Sequence, residues 1–421
     1  MKKFSTLFLF LCIVSSAFAQ QQQFKQAANA AAAGFSAERL ARIDSFFNAI
    51  IKEGLAPNAV TFIARNGQIV HNKAYGFSNL EKHTPAHTTD IFRIASQTKL
   101  ITTIAVLMLY EEGRLLLDDP IYKYLPEFRD TKVLVKYDKE TGKAETRWPR
   151  PMPTIRHLLS HSAGIPYEHP MDSLLNGRTM LGLSSLDAVT TEELVKKVAQ
   201  RPLVHDPGTQ FTYGYNTDVA GRIVEVVSGK SLSDFFMERI FKPLGMNDTY
   251  FYLPASKASR LVELYSKQKL ESPLTLHSNI SNRTFPIAGK QTLHLGGAGL
   301  VSTATDYAKV CQFILNGGTF NNVRLLSRKT VDMMGRNQIG GSHVWDRNDK
   351  FGLGFQIITD STRYGDQASP GSLTWGGAYC SEHTIDPTEK LILLVFTNVS
   401  PYAYYGDFVR KFRVLTYQAL Q

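Results

Sequence analysis

The sequence predicts an α/β (α+β) fold: an antiparallel sheet flanked by terminal helices, plus an all-helical insertion in the middle of the chain. Three observations carry this. Strand-like runs occur near both ends, helical spacing fills the stretch between them, and a helix pattern opens and closes the folded part. With 421 residues, 43% of them hydrophobic, the chain is long enough for a large core and two subdomains.

The elements follow in order. Lys2 and Lys3 precede an apolar run from Phe4 to Val14, and Ala17-Phe-Ala19 supplies small residues. Residues 1–19 therefore read as a signal peptide cleaved after Ala19, so a periplasmic or secreted protein is expected. The run is too short to span a membrane, and no other stretch approaches the required length, so no membrane span is expected. Residues 20–35 are rich in Gln and Ala and read as a loose, flexible leader. Ser36 is placed to cap a helix in which Leu40, Ile43, Phe46, Phe47, Ile50 and Ile51 share one face. Two β-rich runs, 59–65 and 68–75, are joined by Asn66-Gly67, the strongest short hairpin signal. An apolar helix follows Ser96. Residues 130–290 hold a charged hairpin around Asp138 to Gly142 and helix patterns at 191–198, 218–227 and 232–241. Strand patterns return at 352–358, 381–385 and 391–398, and a helix over 407–420 closes the chain. The expected organisation is a sheet domain from 36–129 and 291–421 around a mainly helical insertion, 130–290. The cleft between the two is the default site.

Composition excludes several functions. The formal net charge is +10, but the basic residues are scattered without an arginine-rich block, so no nucleic-acid partner is expected. Cys311 and Cys380 remain after the leader. They read as two unrelated thiols, with pairing left open. There is no G-x-S-x-G, H-E-x-x-H or C-x-x-C. His157 and His161 share a helical spacing, yet no local acidic ligand accompanies them. They read as structural histidines, and no metal or cofactor is expected.

Ser96-Gln-Thr-Lys99 is the chemical signal. Residues three apart at a helix start lie on one face. A hydroxyl gains a nearby amine there, and the helix N-terminus favours a developing alkoxide. By itself the tetrad is weak, because roughly one or two S-x-x-K matches arise by chance in a chain this long. The plain alternative is a capping serine with a surface lysine.

The surrounding landmarks decide between these. They are Phe92-Arg-Ile-Ala-Ser96-Gln-Thr-Lys99, Glu112-Gly-Arg-Leu-Leu-Leu-Asp-Asp-Pro120, Tyr124-Leu-Pro-Glu-Phe128 and His157-Leu-Leu-Ser-His-Ser-Ala-Gly164. Pro207-Gly-Thr-Gln-Phe-Thr-Tyr213, Gly296-Gly-Ala-Gly-Leu-Val-Ser-Thr-Ala-Thr-Asp-Tyr307 and Phe351-Gly-Leu-Gly-Phe355 complete them. In this order the chain resembles the serine β-lactamase-like superfamily, in its class C β-lactamase and carboxylesterase branch. The resemblance covers roughly residues 40–415 and implies a β-lactamase/transpeptidase-like fold.

By the resemblance, Ser96 is the acylated nucleophile, Lys99 its activating partner and Tyr213 the catalytic tyrosine. Tyr215 stands where β-lactamases carry asparagine and is a candidate pocket residue, while Asn216 makes a local turn contact. The family's Lys-Thr-Gly strand reads here as Trp375-Gly376-Gly377-Ala378, the esterase-like version. The N–H groups of Ala378 and Ser96 are the implied oxyanion hole. Trp375 supplies an apolar face and one N–H where lysine supplies a cation, which disfavours anionic substrates. Cys380 is expected to pack as a strand residue. The segment 132–148 lies between two landmarks and is expected to overhang the cleft.

The sequence therefore points to an exported serine hydrolase that cleaves a small-molecule ester. β-Lactam or peptidoglycan-like D-Ala substrates form the main alternative. An acyltransferase and a catalytically inactive envelope-binding protein are further ones. The oligomeric state is left open.

Overall fold

The computed structural model describes residues 24–171, 190–362 and 367–421. The expected signal peptide and residues 20–23 of the leader lie outside these ranges. The architecture is the expected α/β one, a nine-stranded sheet with helices on both faces. Its strands are β1 (Lys25–Gln26), β2 (Asn58–Arg65), β3 (Gln68–Asn79), β6 (Lys350–Phe351), β7 (Gln356–Ile357), β8 (Leu373–Gly377), β9 (Ser381–Asp386) and β10 (Leu391–Phe396), with the two-residue strand Thr84–Pro85 attached to β3. The order is β1-β3-β2-β10-β9-β8-β7-β6. Neighbours are antiparallel except β1 and β3. A separate hairpin, β4 (Val133–Tyr137) and β5 (Ala144–Arg147), forms around the charged turn the sequence marked.

The helices that position the site are α1 (Ala37–Lys52), α2 (Thr98–Glu111), α3 (Ile155–Leu159), α4 (Thr191–Ala199), α5 (Asn216–Ser228), α6 (Ala304–Leu315) and α7 (Tyr405–Tyr417). Ser36 caps α1 as expected, its side chain accepting from the Arg39 N–H. Asn66 and Gly67 both have positive φ, 52° and 73°, which the tight β2–β3 turn requires.

β10 shows how the core is divided. All six of its residues are buried. Leu391, Leu393 and Val395 join α1 and α7 on one face, with Phe47, Phe408 and Phe412. Ile392, Leu394 and Phe396 join α2, α5 and α6 on the other. This second core runs without interruption from the sheet into the middle segment. α2 is its axis: residues 98–109 are all buried, so the helix is enclosed around its whole circumference.

Three expectations need correction. Residues 24–35 are docked, because Lys25 N–H and Ala27 N–H donate to Gly67 and Ile69 carbonyls at 3.1 and 2.9 Å and Phe24 packs on Phe62. The 352–358 strand is two short strands, because Gly354 has φ 82° and Gly352 N–H closes a turn to Phe355 O at 2.8 Å. Residues 130–290 are not all helical: besides the β4–β5 hairpin, Tyr265–Lys267 pairs with both Thr275–Leu276 and Val399–Tyr402. Among the described residues, no helix is long and apolar enough to cross a membrane.

Candidate active site

Ser96 sits in a single 3-10 turn, Ala95–Gln97, that feeds directly into α2. Ala95 has φ 43°, a left-handed conformation costing a non-glycine residue about 1–2 kcal/mol. The turn is over-determined by its neighbours. Ile94 N–H donates to Leu300 O at 3.1 Å, Gln97 N–H to Ile94 O at 3.1 Å, and β8 presses against it. A Cβ on Gly377 would strike the Ile94 carbonyl and Ser381 Oγ, and one on Gly376 would strike the Tyr405 hydroxyl. The glycines of Trp375-Gly376-Gly377 are therefore what lets β8 lie against the serine turn.

Lys99 lies one helical turn further on and is 1% exposed. Its Nζ donates to Ser96 Oγ at 3.2 Å, Tyr167 Oη at 3.0 Å and Gly297 O at 2.7 Å. It also stands 4.6 Å from the centre of the Tyr213 ring, a cation–π distance. The structure thus brings Ser96, Lys99 and Tyr213 together as expected. It adds a phenol that the sequence reading missed. Burial pushes the inward-turned Tyr167 hydroxyl well above the ordinary phenol range, helped by Tyr213 and Asp218 nearby. Tyr167 follows the His157-to-Gly164 landmark, and the irregular path between them, with positive φ at His161 (53°) and Gly164 (82°), brings it to Lys99.

A cavity of about 440 Å³ opens above Ser96. Tyr213, Trp375, Gly376, Gly377 and Ala378 line it, as expected, and so do Trp345 and Arg347 from the loop before β6. The Trp345 and Trp375 rings stack at 5.6 Å and 20°, and Tyr213 lies 5.2 Å from Trp375. The Trp375 Nε1–H is buried with no partner among the described residues. The charges in the wall are already met: Arg347 Nε lies 3.2 Å from Asp349 Oδ2, and Arg413 pairs with Glu382.

Four side expectations can now be placed. Tyr215 is not part of the cavity wall; it is 4% exposed, edge-on to Tyr167 at 4.8 Å, because α5 begins at the next residue and turns it inward. Asn216 is the local tie expected, with Nδ2 donating to Ile165 O and Thr212 O, both at 3.1 Å. Cys380 is buried, but in a left-handed turn position (φ 64°) rather than in a strand, because β8 and β9 are joined by the three residues 378–380. It and Cys311 are free thiols. No residue of 132–148 lines the cavity. That hairpin is instead held away by the bridge of Val133 to Leu203 and the Arg147–Asp206 ion pair. His157 caps α3 through Thr154, and His161 bonds Asn216 and Thr217, so both histidines have structural partners.

Comparison with known proteins sets this geometry in a family. A family model described as Beta-lactamase matches residues 45–416. The chain belongs to the beta-lactamase family. Esterase EstB of Burkholderia gladioli is 28% identical to it over 384 residues, covering 87% of this chain and 92% of EstB. Lovastatin esterase of Penicillium rubens is 31% identical, covering 83% of this chain and 90% of the relative. Among solved structures, EstCE1, a hydrolase with promiscuous acyltransferase activity, matches with a TM-score of 0.76 at 26% identity, covering 90% of this chain and 99% of EstCE1. This member of the beta-lactamase family thus stands among serine hydrolases and acyl-transferases, with its serine, lysine and tyrosine gathered at one cavity.

Proposed function

We propose that this protein is a carboxylesterase that works through an acyl-enzyme on Ser96. The observation that carries the reading is the wall above the serine. It offers stacked indoles, a phenol and one unpartnered indole N–H, while its arginines are each met by a carboxylate. Such a surface favours a neutral acyl or alkoxy group over an anionic one.

The cycle uses protein groups alone. Ser96 Oγ attacks the ester carbonyl carbon as its proton passes to the Tyr213/Lys99 pair. The N–H groups of Ser96 and Ala378 take the negative charge on the carbonyl oxygen. The C–O bond to the alcohol breaks, and the pair returns the proton to the departing alkoxide. Water then attacks the acyl carbon, gives its proton to the same pair, and Ser96 leaves with a proton as the acid is released.

A panel of p-nitrophenyl esters, nitrocefin and a D-Ala-D-Ala peptide tests the reading, together with fluorophosphonate labelling. Ester turnover should dominate, and Ser96→Ala should abolish both turnover and label. Faster nitrocefin or peptide cleavage would replace this reading by the β-lactamase or D-Ala peptidase one, which shares Ser96, Lys99 and Tyr213. An alcohol can also intercept the acyl-enzyme. The name of EstCE1 supports that second reading, and ester product formed from added alcohol would show it. Export to the periplasm or medium is proposed from Lys2, Lys3 and the apolar run after them, and an N-terminus at Gln20 on the mature protein would support it.

A further inference from the structure

Asp218 lies in the first turn of α5, one layer behind the site. It is fully buried. One carboxylate oxygen, Oδ1, accepts the Gly297 N–H at 2.9 Å, and the other, Oδ2, has no partner among the described residues. Gly297 is the residue whose carbonyl takes the Lys99 ammonium at 2.7 Å. The segment is fastened to α2 on both sides of that contact: Thr102 Oγ1 donates to Gly296 O at 2.6 Å and Leu300 N–H to Thr98 Oγ1 at 3.1 Å. A Cβ on Gly297 would collide with the Asp218 carboxylate, so the close approach depends on glycine at that position.

An acidic residue in the first turn of a helix is common and needs no further role. Here two facts go beyond that. The carboxylate bonds the residue that holds Lys99, and its second oxygen is buried without a polar partner among the described residues, a costly arrangement. We propose that Asp218 is a positioning residue for the serine chemistry: through Gly297 it sets where Lys99 stands against Ser96, and the negative charge on its carboxylate strengthens that hold. The proposal rests on the Ser96 acyl-enzyme reading above. It has no direct step in the bond changes.

Ionisation of Asp218 then becomes a switch on the site. Burial pushes its carboxyl up to about 6, while Lys99 and the Gly297 N–H pull the other way. The titratable groups that interact with it are Lys99 on α2 and Tyr167 after α3. Burial holds His161 well below 6.5 and lowers His294, and it raises Glu225. Below about pH 6 Asp218 is a neutral acid, close in shape and charge to asparagine.

Asp218→Asn keeps an oxygen for the Gly297 N–H and removes only the charge. The native enzyme should lose at least tenfold in kcat for a p-nitrophenyl ester between pH 8 and pH 5, with KM within twofold. The variant at pH 8 should already sit on that acid plateau, with a flat profile. A variant with native kcat at pH 8, or with the native acid limb intact, overturns the proposal and leaves Asp218 a structural tie to Gly297. If the variant does not fold, fluorophosphonate labelling of the native protein decides: a one-proton step near pH 6 is expected, and a rate flat from pH 5 to 7 overturns it. Native protein that never labels at Ser96 would fail the acyl-enzyme reading itself, a separate result.

Discussion

Lys99 spends all three N–H donors on Ser96, Tyr167 and Gly297, so its position is fixed by groups from three separate segments. Losing one partner of a buried charge costs more than a neutral hydrogen bond does. Tyr167→Phe removes one acceptor and keeps the ring. We expect kcat for aryl esters to fall about tenfold and stability to fall by about 1–3 kcal/mol, read by steady-state kinetics and thermal melting. Unchanged kcat would mean that Tyr167 only packs. The contrast with Ser96 shows what a sequence makes legible at this scale. Ser96 and Lys99 are three apart on one helix, so their meeting is local. Tyr213 comes with the residues around it. Tyr167 and Trp345 arrive through loop turns, with positive φ at His161 and at Trp345 itself, and no period in the sequence marks them. Trp345 is 56% exposed yet stacks on Trp375, so Trp345→Ala should raise KM for aromatic esters severalfold while the melting temperature stays within about a degree.

β8 is where an element carries the chemistry. It pairs with β7 and β9, and its two glycines touch the serine turn and Tyr405. Gly377→Ala must push the strand off the Ile94 carbonyl. On the proposed mechanism the Ala378 N–H would then miss the oxyanion, a loss of about 100-fold or more in kcat when a single donor goes. Overpacking against backbone adds about 1–3 kcal/mol of destabilisation. Fluorophosphonate labelling rate and melting temperature measure the two effects separately, and a labelling rate within threefold of native would remove the strand from the mechanism. The terminal helices and the β2–β3 hairpin are legible in sequence because cap, period and turn agree within each segment. The 352–358 run misleads because its apolar residues are separated by glycines that form a turn, and 24–35 misleads because its order comes from pairing with β3 across the sheet edge.

One face of the sheet and the middle segment share one core across α2, which is why an insertion read as separate in sequence packs continuously with the sheet. That burial also traps histidines in neutral form. Burial is the first cause for each: His71 and His157 are held down to about 4, His383 to about 3, and His161 well below 6.5. A histidine lowered in the native state binds fewer protons than it does unfolded. Its contribution is complete above pH 6.5 and shrinks as pH falls from there toward the folded value, by up to about 2 kcal/mol each at pH 5. Asp90, Asp218 and Glu225 act oppositely, since their raised carboxyls bind more protons when folded, but among the described residues seven lowered histidines stand against these three. The melting temperature should therefore fall by about 5 °C or more between pH 7 and pH 5. His383 isolates the cause. Neither of its ring nitrogens has a partner among the described residues, and the ring sits between Tyr307 at 5.3 Å and Phe355 at 6.4 Å. His383→Phe fills nearly the same space without a group to protonate. At pH 7 it should melt at the native temperature or above, since an unmet polar ring is replaced by an apolar one. At pH 5 it should lose visibly less than the native protein. Parallel melting curves at pH 7, 6 and 5 measure both, and an identical acid slope in the two proteins would show that His383 is not held neutral by burial.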